Sequence, residues 1–169
     1  MEILIPGLIL VALMVYVSTR IKRTAADAYE KERIETADFA ITKPEGFIII
    51  VNNDPDIVFG AYSKEYGLEK ADVFRQVAAE VRIYKDQPLE KVRDSILAAA
   101  SKAIDQRHLA GGSMIIETET IRDGNSFDNE SRLWEKGEST FEFRVTALSE
   151  SRESSQKSID ELLSSFEVR

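Results

Sequence analysis

His108 is the only imidazole in the chain, and there is no cysteine, so thiol chemistry and multi-histidine metal cages are excluded. His108 follows a predicted helix and precedes Gly111 and Gly112, where a histidine commonly meets the last helical carbonyls. No Gly-x-Ser-x-Gly turn holds a serine nucleophile, and neither phosphate-binding glycine motif occurs. We therefore predict that His108 lies at a helix end or in solvent, with no catalytic residue and no cofactor site in the chain.

Two acidic features could supply carboxylate chemistry. Glu117 and Glu119 alternate on a predicted strand and share a face, where they could form a carboxylate pair or bind a hard cation. The plainer interpretation is a solvated face, with Thr118 and Thr120 opposite. Residues 123–130 are rich in oxygen ligands, but their spacing does not match a twelve-residue calcium loop, so we predict a turn, with calcium as the alternative. No metal site is predicted.

Four amphipathic aromatic residues could line a ligand cleft or a partner interface, or complete the core. The sequence alone does not choose among these roles. They are Tyr62, Tyr66, Tyr84 and Trp134.

The elements that must position these residues follow from hydrophobic periodicity. Residues 47–51 and 57–62 form a predicted hairpin, and the first of these strands is apolar on both faces, which predicts that both faces are covered. A turn of helix near residue 68 and a strand over 77–84 come next. Pro88 then begins a helix whose apolar spacing extends to Ala103.

A three-strand meander follows, over residues 114–121, 131–136 and 140–147. Its last strand alternates cleanly and predicts one core face, and a C-terminal helix closes the chain with four apolar residues on one side. The core face comprises Phe141, Phe143, Val145 and Ala147, and the helix face comprises Ile159, Leu162, Leu163 and Phe166. Hairpins with helices between and after them predict an α+β fold, with an antiparallel sheet carrying two or three packed helices.

The N-terminal residues predict a membrane anchor. Residues 3–18 are apolar without a charge, and with their neighbours they reach the minimum length of a tilted single span. A cleaved signal peptide would have bases before the run, whereas Arg20, Lys22 and Arg23 follow it. We predict an uncleaved signal-anchor over 1–19, a charged helical stalk over 20–37 and a soluble domain over 38–169. A buried core helix or a peripheral helix is the alternative for the apolar run.

Charge predicts the topology and excludes one class of partner. Five basic residues follow the anchor, because Lys31 and Arg33 add to the three named above, and no Lys or Arg precedes the anchor. Basic residues that flank a span stay in the cytoplasm, so we predict the N-terminus outside the cell membrane and the body in the cytoplasm. The formal charge of -8 argues against nucleic acid as a partner, because phosphate binding needs clustered bases. Nothing in the sequence indicates an oligomeric state.

The order of elements resembles the PsbP-like α/β fold, which extrinsic photosystem subunits share with many small bacterial membrane-associated proteins. The resemblance covers residues 36–169. It is carried by the opening segment 39–47, the mid-chain helix, the meander and the closing segment 159–166. It implies an assembly or binding accessory without a shared catalytic signature. Many members face away from the cytoplasm, which conflicts with the topology that the charges predict.

Three functional hypotheses follow. The first is a single-pass membrane protein whose α+β module binds another protein at the membrane, without catalysis. The second is a small-ligand or lipid-binding module, which requires a deep apolar pocket. The third is a hydrolase of unfamiliar design that uses Glu117 and Glu119, or His108, and requires these groups to cluster in a cleft.

Overall fold

This computed structural model describes residues 13–20, 26–51, 54–109 and 111–169. From residue 26 onward, the described chain has ten strands in two antiparallel sheets, with two α-helices packed on them. The larger sheet has seven strands in the order β3-β4-β5-β9-β8-β7-β6, and the smaller has the order β1-β2-β10. The strands are β1 Glu32–Glu35, β2 Phe39–Lys43, β3 Phe47–Ile49, β4 Ile57–Ser63, β5 Val77–Lys85, β6 Lys102–His108, β7 Met114–Arg122, β8 Asn125–Lys136, β9 Ser139–Leu148 and β10 Glu167–Val168. The helices are α1 Leu89–Ala99 and α2 Arg152–Ser165.

The main core lies between the large sheet and α2, which also packs on the small sheet. Ring contacts centre on Phe166, which stacks on Phe143 at 4.8 Å and lies 5.9 Å from Phe39. The predicted core face of β9 is confirmed, because Phe141, Phe143, Val145 and Ala147 are all buried. The predicted helix face is confirmed as well, by buried Ile159, Leu162, Leu163 and Phe166.

Helix α1 covers part of the opposite face of the large sheet, mainly over β7 and β8. Its buried residues Leu89, Val92 and Ile96 pack on side chains of those two strands, and Tyr84 of β5 also packs against this cluster. The helix begins after Pro88, as predicted, since the missing proline N–H is not needed in the first turn. Among the described residues, the α1 cluster reaches the central strand β5 only at Tyr84.

A buried lysine joins the chain that enters the body to the β2–β3 turn. Lys43 is 1% exposed, and its ammonium donates to the main-chain oxygens of Ala28, Glu30 and Phe47. The Gly46 N–H also donates to the Tyr29 oxygen at 2.8 Å. Because three carbonyls satisfy the three ammonium donors, residues 28–30 are fixed to the body.

Two predicted helices differ from the structure. The stalk expected over 20–37 is wrong for Glu32–Glu35, which pairs with β2 as strand β1. The helix expected to extend to Ala103 ends at Ala99, and Lys102–His108 forms β6. All seven residues of β6 are exposed, so no apolar pattern marks the strand; pairing with β7 creates it.

Two predicted loop and strand features also differ. Residues 125–130 belong to β8 and pair with β7 and β9, so the expected turn is confined to Asp123 and Gly124. The β3–β4 hairpin is confirmed, but the expected burial of both faces is wrong, since Val51 is 97% exposed. The reason is position: β3 lies at the edge of the sheet and has a single neighbouring strand.

Residues 13–20 are helical, and the apolar side chains of residues 13–17 are exposed. In the described part of the chain, no helix is long and apolar enough to cross a membrane. Residues 1–12 of the predicted anchor lie outside the described residues, as do Lys22 and Arg23 of its flank.

Candidate protein-binding surface

The histidine and the acidic pair do not meet. His108 is exposed in β6 opposite Met114, which agrees with the solvent position and not with the helix end. Glu117 lies on the other face of the sheet, where Arg107 of β6 donates to it. Glu119 accepts a hydrogen bond of 2.6 Å from the Ser126 hydroxyl. Each carboxylate is therefore engaged with its own neighbour, and the cleft that a hydrolase requires is not formed by these three groups.

Residues 123–130 use their oxygen atoms within the fold. Asp128 accepts from the Ser149 hydroxyl at 2.9 Å, and the Asn129 side-chain oxygen accepts from Thr146 at 2.9 Å. The Asn129 amide donates to the Thr120 hydroxyl at 3.1 Å. Within residues 13–20, 26–51, 54–109 and 111–169, no group of three or more His, Asp or Glu side chains is placed to hold a metal ion.

The four aromatic candidates divide into three roles. Trp134 packs against Phe166 at 5.0 Å and belongs to the core. Tyr62 and Tyr66 enclose the Arg75 guanidinium, whose carbon lies 4.4 Å and 3.8 Å from the two ring centroids. Tyr84 packs its ring beside the α1 cluster, and its hydroxyl reaches a buried polar cluster on the same face of the sheet.

Glu142 is the centre of this polar cluster. It is 0% exposed, and its Oε1 accepts from Ser131 at 2.9 Å and from the Arg144 guanidinium at 2.8 Å. Its Oε2 accepts from the Tyr84 hydroxyl at 2.8 Å. A buried carboxylate is tolerated when it is paired and hydrogen-bonded, and three neighbouring strands supply the partners here.

The cluster changes the acidity of its tyrosine. Burial raises the pKa of Tyr84, and the negative charge of Glu142 and the hydrogen bond to it raise that pKa further. The phenol therefore stays protonated and donates to the carboxylate throughout the neutral range. This makes Tyr84 a structural donor, because a general base would need the opposite shift.

A second charged pair lies beside the first. In the β5–β9 register, Glu80 is opposite Arg144 and Arg82 is opposite Glu142, so opposite charges alternate in both directions. Arg82 also contacts Asp54 at 3.3 Å and Glu80 at 3.2 Å. Burial is the largest single influence and lowers the pKa of Arg82, but the charge of Glu80, its hydrogen bond and the electrostatic interactions with Tyr84 and Glu142 together raise that pKa above its ordinary value.

These side chains form a surface that we call the open polar face. It consists of Tyr62, Glu80, Arg82, Arg144 and Thr146, with Glu142 beneath. The side chains of Arg82 and Arg144 are each 25% exposed, so both are ordered yet reachable. Tyrosine and arginine are the residue types enriched at protein interfaces, and ordered side chains lose little entropy on binding.

Sequence reasoning missed Glu142 and Arg144 as site residues. Their alternation with buried residues placed them on the second face of β9, and nothing local showed that this face is also partly buried. The usable signal was the pattern Glu142-x-Arg144 on a strand, matched by Glu80-x-Arg82 on another. The two patterns become a site only when β5 and β9 pair.

Two open cavities lie elsewhere in the described chain. One of about 430 Å³ lies between the first turns of α2, the last residue of β4 and the first residue of β5. One of about 350 Å³ lies near the start of α1. Polar groups line both, including Glu45, Glu65 and Gln76 in the larger. A lipid tail would leave those groups without partners, which weighs against the lipid-binding alternative.

The loop between β4 and β5, residues 64–76, presents exposed apolar side chains on a rigid base; we call it the apolar loop. Leu68 is 69% exposed and Val73 is 72% exposed, whereas Ala71 is buried against Leu148 and Phe127. A bond from the Gly67 N–H to the Phe74 oxygen, 3.0 Å long, closes the loop.

The interior of this loop leaves no spare room. A Cβ on Gly67 would lie 2.6 Å from the Leu148 side chain and 2.7 Å from that of Ala71. Arg75, held between its two tyrosines, donates to the Lys64 oxygen at 2.6 Å and ties the end of the loop to its start. The two exposed apolar residues are therefore held in place by packing beneath them.

Comparison with known proteins identifies the fold. No family model and no curated protein matches the chain. The structure is similar to cyanobacterial PsbP (CyanoP) from Synechocystis sp. PCC 6803, with a TM-score of 0.58 and 13% identity over 83% of this chain and 94% of that one. The predicted PsbP-like α+β fold is confirmed.

Two other solved structures share this fold. LpqN of Mycobacterium tuberculosis, described as involved in cell envelope biogenesis, has a TM-score of 0.56 and 8% identity over 82% of this chain and 90% of that one. The Saccharomyces cerevisiae Ran-binding protein Mog1p has a TM-score of 0.55 and 12% identity over 83% of this chain and 96% of that one.

Proposed function

We propose that this chain is a single-pass membrane protein whose PsbP-like body binds another protein at the membrane surface, without catalysis of its own. The observation that carries the proposal is the open polar face, where Glu142 orders Arg144 and a row of charges orders Arg82. A Ran-binding protein with the same fold supports a protein partner, and an envelope-biogenesis protein with the same fold is compatible with a place at the membrane.

The proposal has no catalytic step because the polar groups of the face are engaged with one another. Ser131 donates to a carboxylate, Tyr84 keeps its proton, and both guanidinium groups pair with acids. Such a set offers directed hydrogen bonds and ordered charge, which suits recognition, but it contains no activated nucleophile. The partner we expect presents its own acceptors to Arg82 and Arg144.

The membrane tether rests on the apolar N-terminal run and on the described part of it. The side chains of Leu13, Met14 and Tyr16 are at least 60% exposed and add nothing to the core of the body. Arg20, Lys22 and Arg23 then set the cytoplasmic side. Lys31 and Arg33 contribute less to this charge signal, since they pair with Glu161 and Glu35 within the fold.

A photo-crosslinking experiment tests the partner. A benzophenone side chain at position 62 replaces one ring by another on the open polar face, in the full-length chain in its native membranes. We expect a discrete protein adduct that Arg82→Ala abolishes. The same probe at the exposed position 90 of α1 should give none.

Arg93→Ala is the matched control variant for this experiment. Arg93 resembles Arg82 in exposure, at 29%, and within the described residues it pairs with its neighbour Asp94. It should leave the adduct at position 62 unchanged. An absent adduct, or one that survives Arg82→Ala, would contradict the proposed surface.

Protease protection tests the side of the membrane. With the body in the cytoplasm, intact spheroplasts should protect the domain, and permeabilisation should expose it to digestion. Digestion in intact spheroplasts would contradict this topology and show that the body faces away from the cytoplasm. The partner would then belong to the cell envelope.

A further inference from the structure

We propose that the apolar loop is a membrane-contact element that inserts Leu68 and Val73 into the surface of the bilayer that anchors the chain. The inference rests on the proposed membrane tether and names the lipid surface as a second ligand of the body. Its consequence is a fixed orientation of the open polar face relative to the membrane.

The first argument is the position of the loop beside the entry of the chain. Lys64, the first residue of the apolar loop, lies over the Tyr29 ring at 5.6 Å, and its N–H donates to the Gly46 oxygen at 2.7 Å. The Gly46 N–H in turn donates to the Tyr29 oxygen. The segment that arrives from the anchor therefore lies directly against the base of the loop.

The second argument is the length of the connection. From Arg20, at the end of the described N-terminal helix, to Ala26, where the described chain resumes, there are six residue steps. A fully extended chain covers about 3.6 Å per step, so the separation is at most about 22 Å. If the apolar run is in the bilayer, the entry segment and the adjoining loop must lie close to its surface.

The third argument is rigidity at both attachments. Lys43 fixes residues 28–30 to the body, and Arg75 fixes the loop upon itself. The free energy falls when an exposed apolar side chain moves from water into an apolar phase. A side chain held by a rigid base loses little conformational entropy in that step. Tyr66, 47% exposed on the same loop, is of the type that favours the headgroup region.

Charge favours lipid contact at the loop over contact elsewhere on the body. Residues 64–76 contain three basic and three acidic residues, so the loop is neutral, while the chain as a whole carries -8. Anionic lipids would repel the body but not the loop. Exposed Glu69 and Asp72 beside the tips limit the insertion to the interface, and salt should have little effect on it.

Fluorescence quenching by brominated lipid tests the inference. In the full-length chain with Trp134→Phe, single reporters are placed by Tyr16→Trp, Leu68→Trp, Val73→Trp or Val58→Trp, and the chain is reconstituted in phosphatidylcholine vesicles with or without bromine on the acyl chains. Val58 is the matched control, because it is an exposed valine at the start of β4, the far end of the strand that leads into the loop.

We expect strong quenching at 16, clear quenching at 68 and 73, and none at 58, unchanged by added salt. Quenching at 16 alone would overturn the inference and leave the tether standing, with a protein as the occupant of the loop. Loss of quenching at 16 would overturn the tether and the inference together. Equal quenching at 58 and 68 would also overturn the inference, since the body would then have no preferred orientation.

Discussion

A single buried carboxylate organises the chemistry of this surface. Glu142 has no contact with solvent, and its partners come from β5, β8 and β9. Its environment is asymmetric, because Arg144 reaches solvent while Glu142 does not. Loss of the arginine therefore leaves a buried charge with two neutral donors, whereas loss of the carboxylate leaves a cation that water can solvate.

Arg144→Ala should consequently be strongly destabilising. Removing one partner of a buried ion pair costs about 3–5 kcal/mol, and we expect the free energy of unfolding, measured with urea, to fall by that amount. Adding Glu142→Gln to Arg144→Ala should recover much of the loss, because no charge is then buried. Arg93→Ala should change the value by less than about 0.5 kcal/mol. Equal costs for the two arginines would show that the Glu142 cluster is solvated.

Because of Tyr84, the free energy of unfolding should fall at alkaline pH. Burial, helped by Glu142, raises the pKa of the folded tyrosine above its ordinary 10.0, so above that pH the unfolded chain loses a proton that the folded chain keeps. The stabilisation from Tyr84 is complete below pH 10 and declines as the pH rises past it. Tyr84→Phe should cost about 1 kcal/mol at pH 7 through the lost hydrogen bond.

The difference between the native chain and Tyr84→Phe is the quantity to follow. Urea midpoints measured from pH 7 to 11 should converge above pH 10. A difference that stays constant over this range would contradict the protonated, buried phenol.

At the scale of elements, β9 connects the two faces of the large sheet. Its residues Phe143, Val145 and Ala147 join the main core against α2, while its even-numbered residues form the floor of the open polar face. A one-residue slip in the register of β9 would move every side chain to the opposite face. The core contacts of this strand therefore also maintain the geometry of the surface.

Phe143→Ala tests the contribution of β9 to the core. Phe143 is 0% exposed and stacks on Phe166, so its truncation should lower the free energy of unfolding by about 3–5 kcal/mol. Ile104→Ala, at a residue that is 52% exposed on β6, should cost less than about 0.5 kcal/mol. An unchanged melting temperature for Phe143→Ala would refute the core role of the ring.

At the scale of the whole molecule, Leu13 to Val17 of the apolar N-terminal run are exposed. Lys43 attaches residues 28–30 to the body. The proposed arrangement is a tether, a rigid entry and a body with one apolar loop and one polar face.

Deletion of residues 1–19 should therefore release a folded fragment. We expect the 20–169 fragment to be soluble, to keep the circular dichroism of the α+β body and to unfold cooperatively in urea. Loss of secondary structure or aggregation of the fragment would show that the N-terminal run contributes to the fold.

Several features could be predicted from the sequence because their cause is local. The period of two in β9 selected its core residues, and the period near 3.6 after Pro88 located α1. The apolar run at the N-terminus and the bases that follow it are also local patterns. The order of these elements was sufficient to identify the PsbP-like fold.

Other features were decided by the tertiary structure. Strand β6 has no apolar face and exists because β7 offers it main-chain partners. His108 therefore lies on an exposed strand and not after a helix. Alternation assigns residues to two faces, but only packing decides how much of each face is covered. The Glu142 cluster depends on that choice, because residues 84, 131 and 144 meet only when three strands pair side by side. A polar residue on a strand has the same local pattern whether it faces water or a partner from a distant strand, and for that physical reason the site could not be read from the sequence.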